Sequence, residues 1–407
     1  MYRNSAIQNT KSFNKSILAL FVACAFALSG LFGAIPVAHA IGPSVPGCTY
    51  TYIPGIPGSP GVPPQQWTIA GTAKVTYCLT AGTYDTQITI HASNIYLMGA
   101  PGTTPSTVII QPTIVMNNGA NPMISNLSAG YIGQVPAIIY VGPGYKNITI
   151  VGLTVDGSAA ALSAAGVLAT NGCAGDPSMG CYYGVVINHD STTDILTTTV
   201  TNIYTNTALA PGYGIGIYVT RSSPLISGDT ISNYVKNGIE CDGAGIACSI
   251  YFNSVQPLPA AESVTASNGI MIGYGAAGVI WGNIVTGNHC TIPASCGSNI
   301  ETQWQATGIL TYGANYGDVE GNIVSGNDIG IYGYLECDSC NFYQSNTISN
   351  SFVAGALFQD ENQTLYFNDF SNSPIGVVAF SGEGPVGMNY KVIVSLLGNT
   401  FSSVTLP

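Results

Sequence analysis

The strongest constraint on this chain is a glycine followed by an apolar residue, which returns at Gly184, Gly216, Gly238, Gly269, Gly308, Gly330, Gly355 and Gly376. The spacings are 32, 22, 31, 39, 22, 25 and 21 residues, so a unit of 21–25 residues repeats and three copies are lengthened. After an anchor, a second segment ends in Asn: WGNIVTGN at 281–288, EGNIVSGN at 320–327, SNTISN at 345–350 and FNDFSN at 367–372. Asn283 and Asn322 fall at the same offset from their anchors, and so do Asn288 and Asn327. The extra residues of the longest unit follow Asn288 and include Cys290, Cys296 and Trp304. Constant strands with one variable loop are the mark of a solenoid, because strands must stack while a turn can grow outward.

From Trp67 onward no 3.6-residue helical period holds for three turns. Short Val/Ile/Thr/Tyr runs recur instead, each closed by Gly, Asn or Asp, which is the strand signal. One coil cannot cover its own apolar face, whereas coils stacked about 4.8 Å apart bury a continuous column. Asparagines repeating at a turn can bond copy to copy, and Asn tolerates the left-handed backbone found there. The reading is an all-β solenoid over residues 67–407, in coils of roughly 21–25 residues with longer loop insertions and no second globular domain.

The N-terminal segment is different in kind. Arg3, Lys11 and Lys15 precede an apolar stretch from Ile17 to Leu31, and Ala38-His39-Ala40 offers a small-x-small cleavage site. Residues 1–40 therefore read as an export signal. Cys24 is not a lipid-attachment cysteine on this reading, because Phe21 stands where a Leu would be wanted. Residues 41–66 are dense in Pro and Gly and read as an extended linker, or as an ordered collar if Cys48 ties it to Cys78. Residues 269–287 carry no charge and are long enough to span a bilayer, but glycines and Asn283 break them into short alternations, so no transmembrane segment is expected.

After residue 40 the chain holds five basic and 19 acidic residues, a balance of −14. That argues against nucleic acid or an anionic membrane as partner, and it makes an acidic polysaccharide hard to hold unless a cation mediates. Ten cysteines remain as near neighbours: Cys48/Cys78, Cys173/Cys181, Cys241/Cys248, Cys290/Cys296 and Cys337/Cys340. An even count behind an export signal suits disulfides in an oxidising compartment, although sequence leaves the pairing open. The rival reading of Cys337 and Cys340 as a zinc half-site lacks a second CxxC and a nearby His.

At this point the chain resembles a known group. GTYDTQITI (82–90) followed by IYLMG (95–99) is similar to the entry pattern of the pectin-lyase-like superfamily, and NITIVGLTVDGS (147–158) resembles its generic coil. The resemblance implies a right-handed parallel β-helix over roughly residues 67–400. It implies no single activity, because such folds serve lyases, hydrolases, esterases, epimerases and non-enzymatic surface proteins. The catalytic signatures do not carry over. Asn188 stands where VVINHDST (185–192) would need an aspartate, Arg221-Ser222-Ser223-Pro224 is a fragment of an Arg-rich motif, and FQDENQTLY (358–366) is an interrupted esterase motif.

Aligned on their anchors, positions four to six after each glycine should stack at one strand end. They bring together His189, Asp190, Arg221 and Asp242 as a candidate catalytic strip, with Asp190 and Asp242 flanking Arg221 at about 10 Å from each other. A structural ladder, Arg221 merely neutralising two carboxylates, explains the same pattern. Tyr274 and Tyr312, with Trp304 in the long loop, form a candidate aromatic platform for sugar rings; ordinary stacking is the alternative. His91 and His289 have no aligned partners and read as surface or loop residues. Oxygen ligands for Ca²⁺ are available from Asp318, Glu320 or Asp328, in a spacing that makes no EF-hand loop, and no other metal site is expected. Asn126, Asn147 and Asn362 open N-glycosylation sequons, which matter only in a host that glycosylates.

The expected function is that of a secreted or cell-surface β-helix with a glycan-binding, structural or adhesive role. The alternative is an extracellular polysaccharide lyase or glycoside hydrolase working in a groove along the helix.

Overall fold

A computed structural model describes residues 47–113, 137–158, 172–173, 176–189, 191–204, 213–259, 267–290, 305–334, 341–360, 362–381 and 392–406. These residues wind as a right-handed parallel β-helix built from three long sheets. One coil shows the plan: Asn237–Asp242 lies in the first sheet, Ala247–Tyr251 in the second and Ser254–Gln256 in the third, before Asn268–Gly273 returns to the first. We call the first the anchor sheet, because the repeating glycines lie in its strands. Among the described residues the sheets hold 12, 12 and 11 strands, and neighbouring coils pair in parallel register. Among the described residues the single antiparallel pair is Gly172–Cys173 against Asp176–Ile187.

Inward side chains stack into columns. Ile239, Ile270, Ile309 and Ile331 follow one another in the anchor sheet. Ile250, Ile280 and Val319 do so in the second sheet, and Val255, Val285, Val324 and Ile348 in the third. All are essentially inaccessible to solvent. Each such aliphatic side chain is worth about 1.5–3 kcal/mol of burial, and the column continues only because the next coil supplies its other wall.

The anchor glycines answer to packing. A Cβ on Gly269 would lie 2.2 Å from Val285 Cγ1 and 2.5 Å from the Gly308 carbonyl oxygen. The same two obstacles, a third-sheet side chain and the next anchor's carbonyl, recur at Gly238 and Gly308. No larger residue fits where the chain re-enters the anchor sheet.

The asparagines of successive coils bond to one another in ladders. At the turn between the second and third sheets, the amide N–H and Nδ2 of Asn253 both donate to Asn283 Oδ1, at 2.9 and 3.0 Å. The pattern runs on through Asn322, Asn346, Asn368 and Asn399. Each Nδ2 also reaches a carbonyl of the preceding coil, as Asn253 does to Ile226 at 3.0 Å. The residue before each rung takes a left-handed backbone, Gly at 282 and 321 and even Phe252 at φ 56°. Asn288 and Asn327 make a shorter one.

At the start of the helix, Cys48 is bonded to Cys78, Tyr50–Tyr52 pairs with Tyr77–Leu79, and Trp67 packs on Tyr52 with ring centres 4.7 Å apart. Residues 47–66 are thus tied to the first coil. Cys241 and Cys248 bridge the turn from the anchor sheet to the second sheet. Cys290 is also in a disulfide. Cys296, Cys337 and Cys340, the side chains of Cys173 and Cys181, and the export segment 1–40 lie outside the described residues. The uncharged stretch 269–287 is three short strands, and no described helix is long and apolar enough to cross a membrane.

Candidate functional site

The outer face of the anchor sheet presents two parallel rows. Register places Thr220, Asp242, Gly273, Tyr312, Tyr334, Gln359 and Phe380 opposite one another on successive coils. Two residues earlier, Tyr218, Glu240, Met271, Leu310, Tyr332, Leu357 and Val378 form the companion row. Both rows point away from the isoleucine column because side chains alternate along a strand.

Tyrosines gather on this face. The rings of Tyr312 and Tyr334 are 5.0 Å apart and tilted by 34°. Tyr274, just past Gly273 in a left-handed backbone at φ 53°, brings its ring within 5.3 Å of Tyr312. Tyr332 lies 6.1 Å from Tyr334 and donates its hydroxyl to Gln359 Oε1 at 2.6 Å. Tyr274 is 37% exposed, so the strip opens to solvent at that end. Trp304, the third member of the platform expected from sequence, lies outside the described residues.

Beside Tyr274, on the preceding coil, stands a carboxyl pair, Glu240 and Asp242, both buried on one strand face. Asn237 Nδ2 donates to Glu240 Oε2, and Asn268 Nδ2 holds Asn237 Oδ1 at 2.8 Å. Asp242 leans over Gly273, where an added Cβ would lie 3.3 Å from its Oδ1 and 2.9 Å from Met271 Cε. Among the described residues, neither carboxyl oxygen of Asp242 nor the Tyr218 hydroxyl makes a well-formed hydrogen bond. Burial lifts the Asp242 pKa well above the usual carboxylate range, and the neighbouring Glu240 adds to the rise. Burial likewise raises Tyr218 and Tyr274, and in both cases the Asp242 and Glu240 charges add to it. The pair is therefore two buried carboxyls on one face, with the Tyr218 and Tyr274 phenols on the coils to either side.

The catalytic strip read from sequence is only partly assembled. Arg221 and His189 do meet, with Nη1 of Arg221 3.5 Å from Nε2 of His189. Arg221 ends its strand at φ 49°, its amide donates to the Asp242 carbonyl at 3.0 Å, and its stem packs over Gly243. Asp242 pairs in register with Thr220, so its carboxyl belongs to the tyrosine rows. Asp190 lies outside the described residues. Glu240, Tyr218 and Tyr334 were not singled out from sequence, although two-residue alternation from Asp242 would have found Glu240.

His289 departs from its expected place as an unpartnered loop residue. Its Nδ1 bonds Asp328 Oδ1, and its ring stacks on Phe352 at 3.9 Å. The signal was present, since the matching offsets of Asn288 and Asn327 also set His289 against Asp328. Asp328 Oδ2 accepts the amides of Cys290 and Ala306 at 3.0 and 3.1 Å, so that carboxyl is occupied at the root of the long loop. Asp318 and Glu320 sit together on the strand Tyr316–Glu320, where burial and the Glu320 charge raise the Asp318 pKa. No group of three or more metal-ligating side chains occurs among the described residues.

No family model matches the chain, and neither does any curated protein. Solved structures do align with it. The A-module of mannuronan C-5 epimerase AlgE4 from Azotobacter vinelandii matches at 13% identity and a TM-score of 0.46, over 82% of this chain and 88% of that one. The periplasmic alginate epimerase AlgG matches at 12% identity and 0.42, over 83% and 78%. Tailspike protein 2 of Escherichia coli O157:H7 bacteriophage CAB120 matches at 9% identity and 0.45, over 81% of this chain and 38% of its own. Such likeness concerns shape alone. The three parallel sheets in one continuous winding place the chain among the right-handed parallel β-helix proteins.

Proposed function

We propose that this is an exported β-helix protein that binds a glycan along the outer face of its anchor sheet. The observation that carries the reading is the run of Tyr274, Tyr312 and Tyr334 on successive coils, with ring centres 5.3 and 5.0 Å apart. Sugar rings present apolar faces that lie on aromatic rings, while the phenol hydroxyls and Gln359 offer hydrogen bonds. The export signal and the disulfides support a place outside the cytoplasm, where glycans are met. The test is calorimetric titration with a panel of oligosaccharides. Wild type should bind at least one, and Tyr312→Ala should lose that binding while keeping the β spectrum. Absence of binding across the panel overturns the reading.

A second reading, a polysaccharide lyase or glycoside hydrolase, is favoured by one observation. Asp242 lies buried beside Glu240, and burial raises its pKa above the usual carboxylate range, the direction a general acid needs. A lyase would leave an unsaturated sugar absorbing in the near ultraviolet, and a hydrolase only new reducing ends. Incubation with polysaccharides that yields neither removes this reading.

A further inference from the structure

We infer that the tyrosine strip, taken as the glycan site proposed above, selects sugar chains without carboxylates and rejects uronates. Electrostatics along the strip carry the inference. The two outer rows hold two carboxyls, Glu240 and Asp242, and no Lys or Arg. A third carboxyl, Asp360, follows Gln359 at the far end and is buried close enough to Tyr334 to raise its pKa further. The tyrosines are thus bracketed by acids on both sides.

The described cations lie outside these two rows. Arg221 directs its guanidinium to His189, on the coil before it, away from the tyrosines. Lys74 lies over the Tyr96 ring and Lys146 sits beside Asn147, both several coils earlier. Lys236 precedes the strand that carries Glu240, and that carboxyl already acts on it. A uronate laid on the strip would bring a carboxylate toward Glu240 or Asp360, with no Lys or Arg in the two described rows to receive it. It would also approach a chain whose residues after position 40 carry a balance of −14. Like charges brought together without a partner are a standard source of rejection. Neutral hexoses or N-acetylhexosamines meet none of this, and their hydroxyls match phenol, amide and carboxyl groups alike.

The experiment is titration of the full exported chain, in low-salt buffer with chelator, against two sets of probes of equal length. One set is neutral: cello-, xylo- and N-acetylglucosamine oligosaccharides. The other is acidic: oligogalacturonate and oligomannuronate. The expected result is binding of at least one neutral probe about tenfold or more tighter than either uronate, with the gap shrinking as salt is added. A uronate bound as tightly as the best neutral probe overturns this inference and leaves the glycan-site reading standing. Failure of every probe overturns the glycan-site reading itself. Glu240→Gln with Asp360→Asn, checked for an unchanged β spectrum, should narrow the gap; an unchanged gap in that variant also overturns the inference.

Discussion

Asp229 stands one rung before Asn253 in the asparagine ladder, its amide donating to Asn253 Oδ1 at 2.9 Å while its own Oδ1 accepts the Thr198 amide at 2.6 Å. Every asparagine of that ladder uses Nδ2 to reach a carbonyl of the preceding coil, as Asn253 does to Ile226. Asp229 has an oxygen in place of that nitrogen, and its Oδ2 is buried with no hydrogen-bond partner. Burial raises its pKa well above the carboxylate range, against the pull of the Thr198 and Ser227 amides. A protonated Asp229 regains the missing donor. Because the folded pKa is raised, this stability is complete below the unfolded value of about 3.9 and is lost as pH rises through the folded pKa. Asp229→Asn should therefore stabilise the protein at pH 7 by about 1 kcal/mol and flatten the acid-side slope. Urea unfolding at pH 4 and pH 7 checks it, and an Asn variant weaker than wild type at pH 7 would refute the argument.

Asn322 is the middle rung, and its loss should cost more than that of any single surface residue. Its Nδ2 donates to the Ile280 carbonyl and to Asn346 Oδ1, both at 2.9 Å, and its Oδ1 receives the Asn283 amide and Nδ2. Asn322→Ala strands several buried groups at once. The expected cost is about 2–4 kcal/mol in the unfolding midpoint, against about 0.5 for a typical exposed substitution.

Two glycines separate packing from backbone freedom. At Gly269 a methyl group meets Val285 Cγ1 at 2.2 Å and a backbone oxygen at 2.5 Å. At Gly245 there is open space, but φ is +83°. Gly245→Ala should cost about 1 kcal/mol from backbone strain alone. Gly269→Ala should cost at least about 3, because a carbonyl cannot swing aside as a side chain can. Equal losses in the two variants would show that the anchors are kept for their conformation instead.

These glycines explain why so much of the winding was legible beforehand. A position that admits no Cβ repeats wherever the coil repeats, and a buried rung that must both donate and accept returns as Asn from Asn253 to Asn399. Site chemistry lacked such repetition. Counting four to six residues from the anchor reached Asp242 but passed over Glu240, which lies at plus two on the same face. The same count set Arg221 against Asp242, whereas the register pairs Thr220 with Asp242 and leaves Arg221 past the strand end. A one-residue offset reverses which face a side chain takes, and only strand pairing resolves it. The raised pKa of Asp242 was likewise out of reach, because it depends on burial by coils distant in sequence.

Asp328 ties Cys290 and Ala306, the two roots of the longest unit's insertion. The loop leaves after Cys290 and returns before Ala306, and both amides donate to one oxygen, Asp328 Oδ2, while the other oxygen holds His289. Asp328→Ala removes all three bonds and leaves two buried amides unpaired, each at a cost of about 1–3 kcal/mol. His289→Ala removes only the imidazole bond and the stack on Phe352, leaving both amides satisfied. Hydrogen exchange followed by mass spectrometry should therefore show the amides of Cys290 and Ala306 losing protection in Asp328→Ala while keeping most of it in His289→Ala. Asp328→Asn should fall nearer to His289→Ala, because its amide oxygen can still accept both N–H groups. If His289→Ala exposes the two amides as fully as Asp328→Ala does, the imidazole holds the carboxylate in place, and the clamp is a property of the pair.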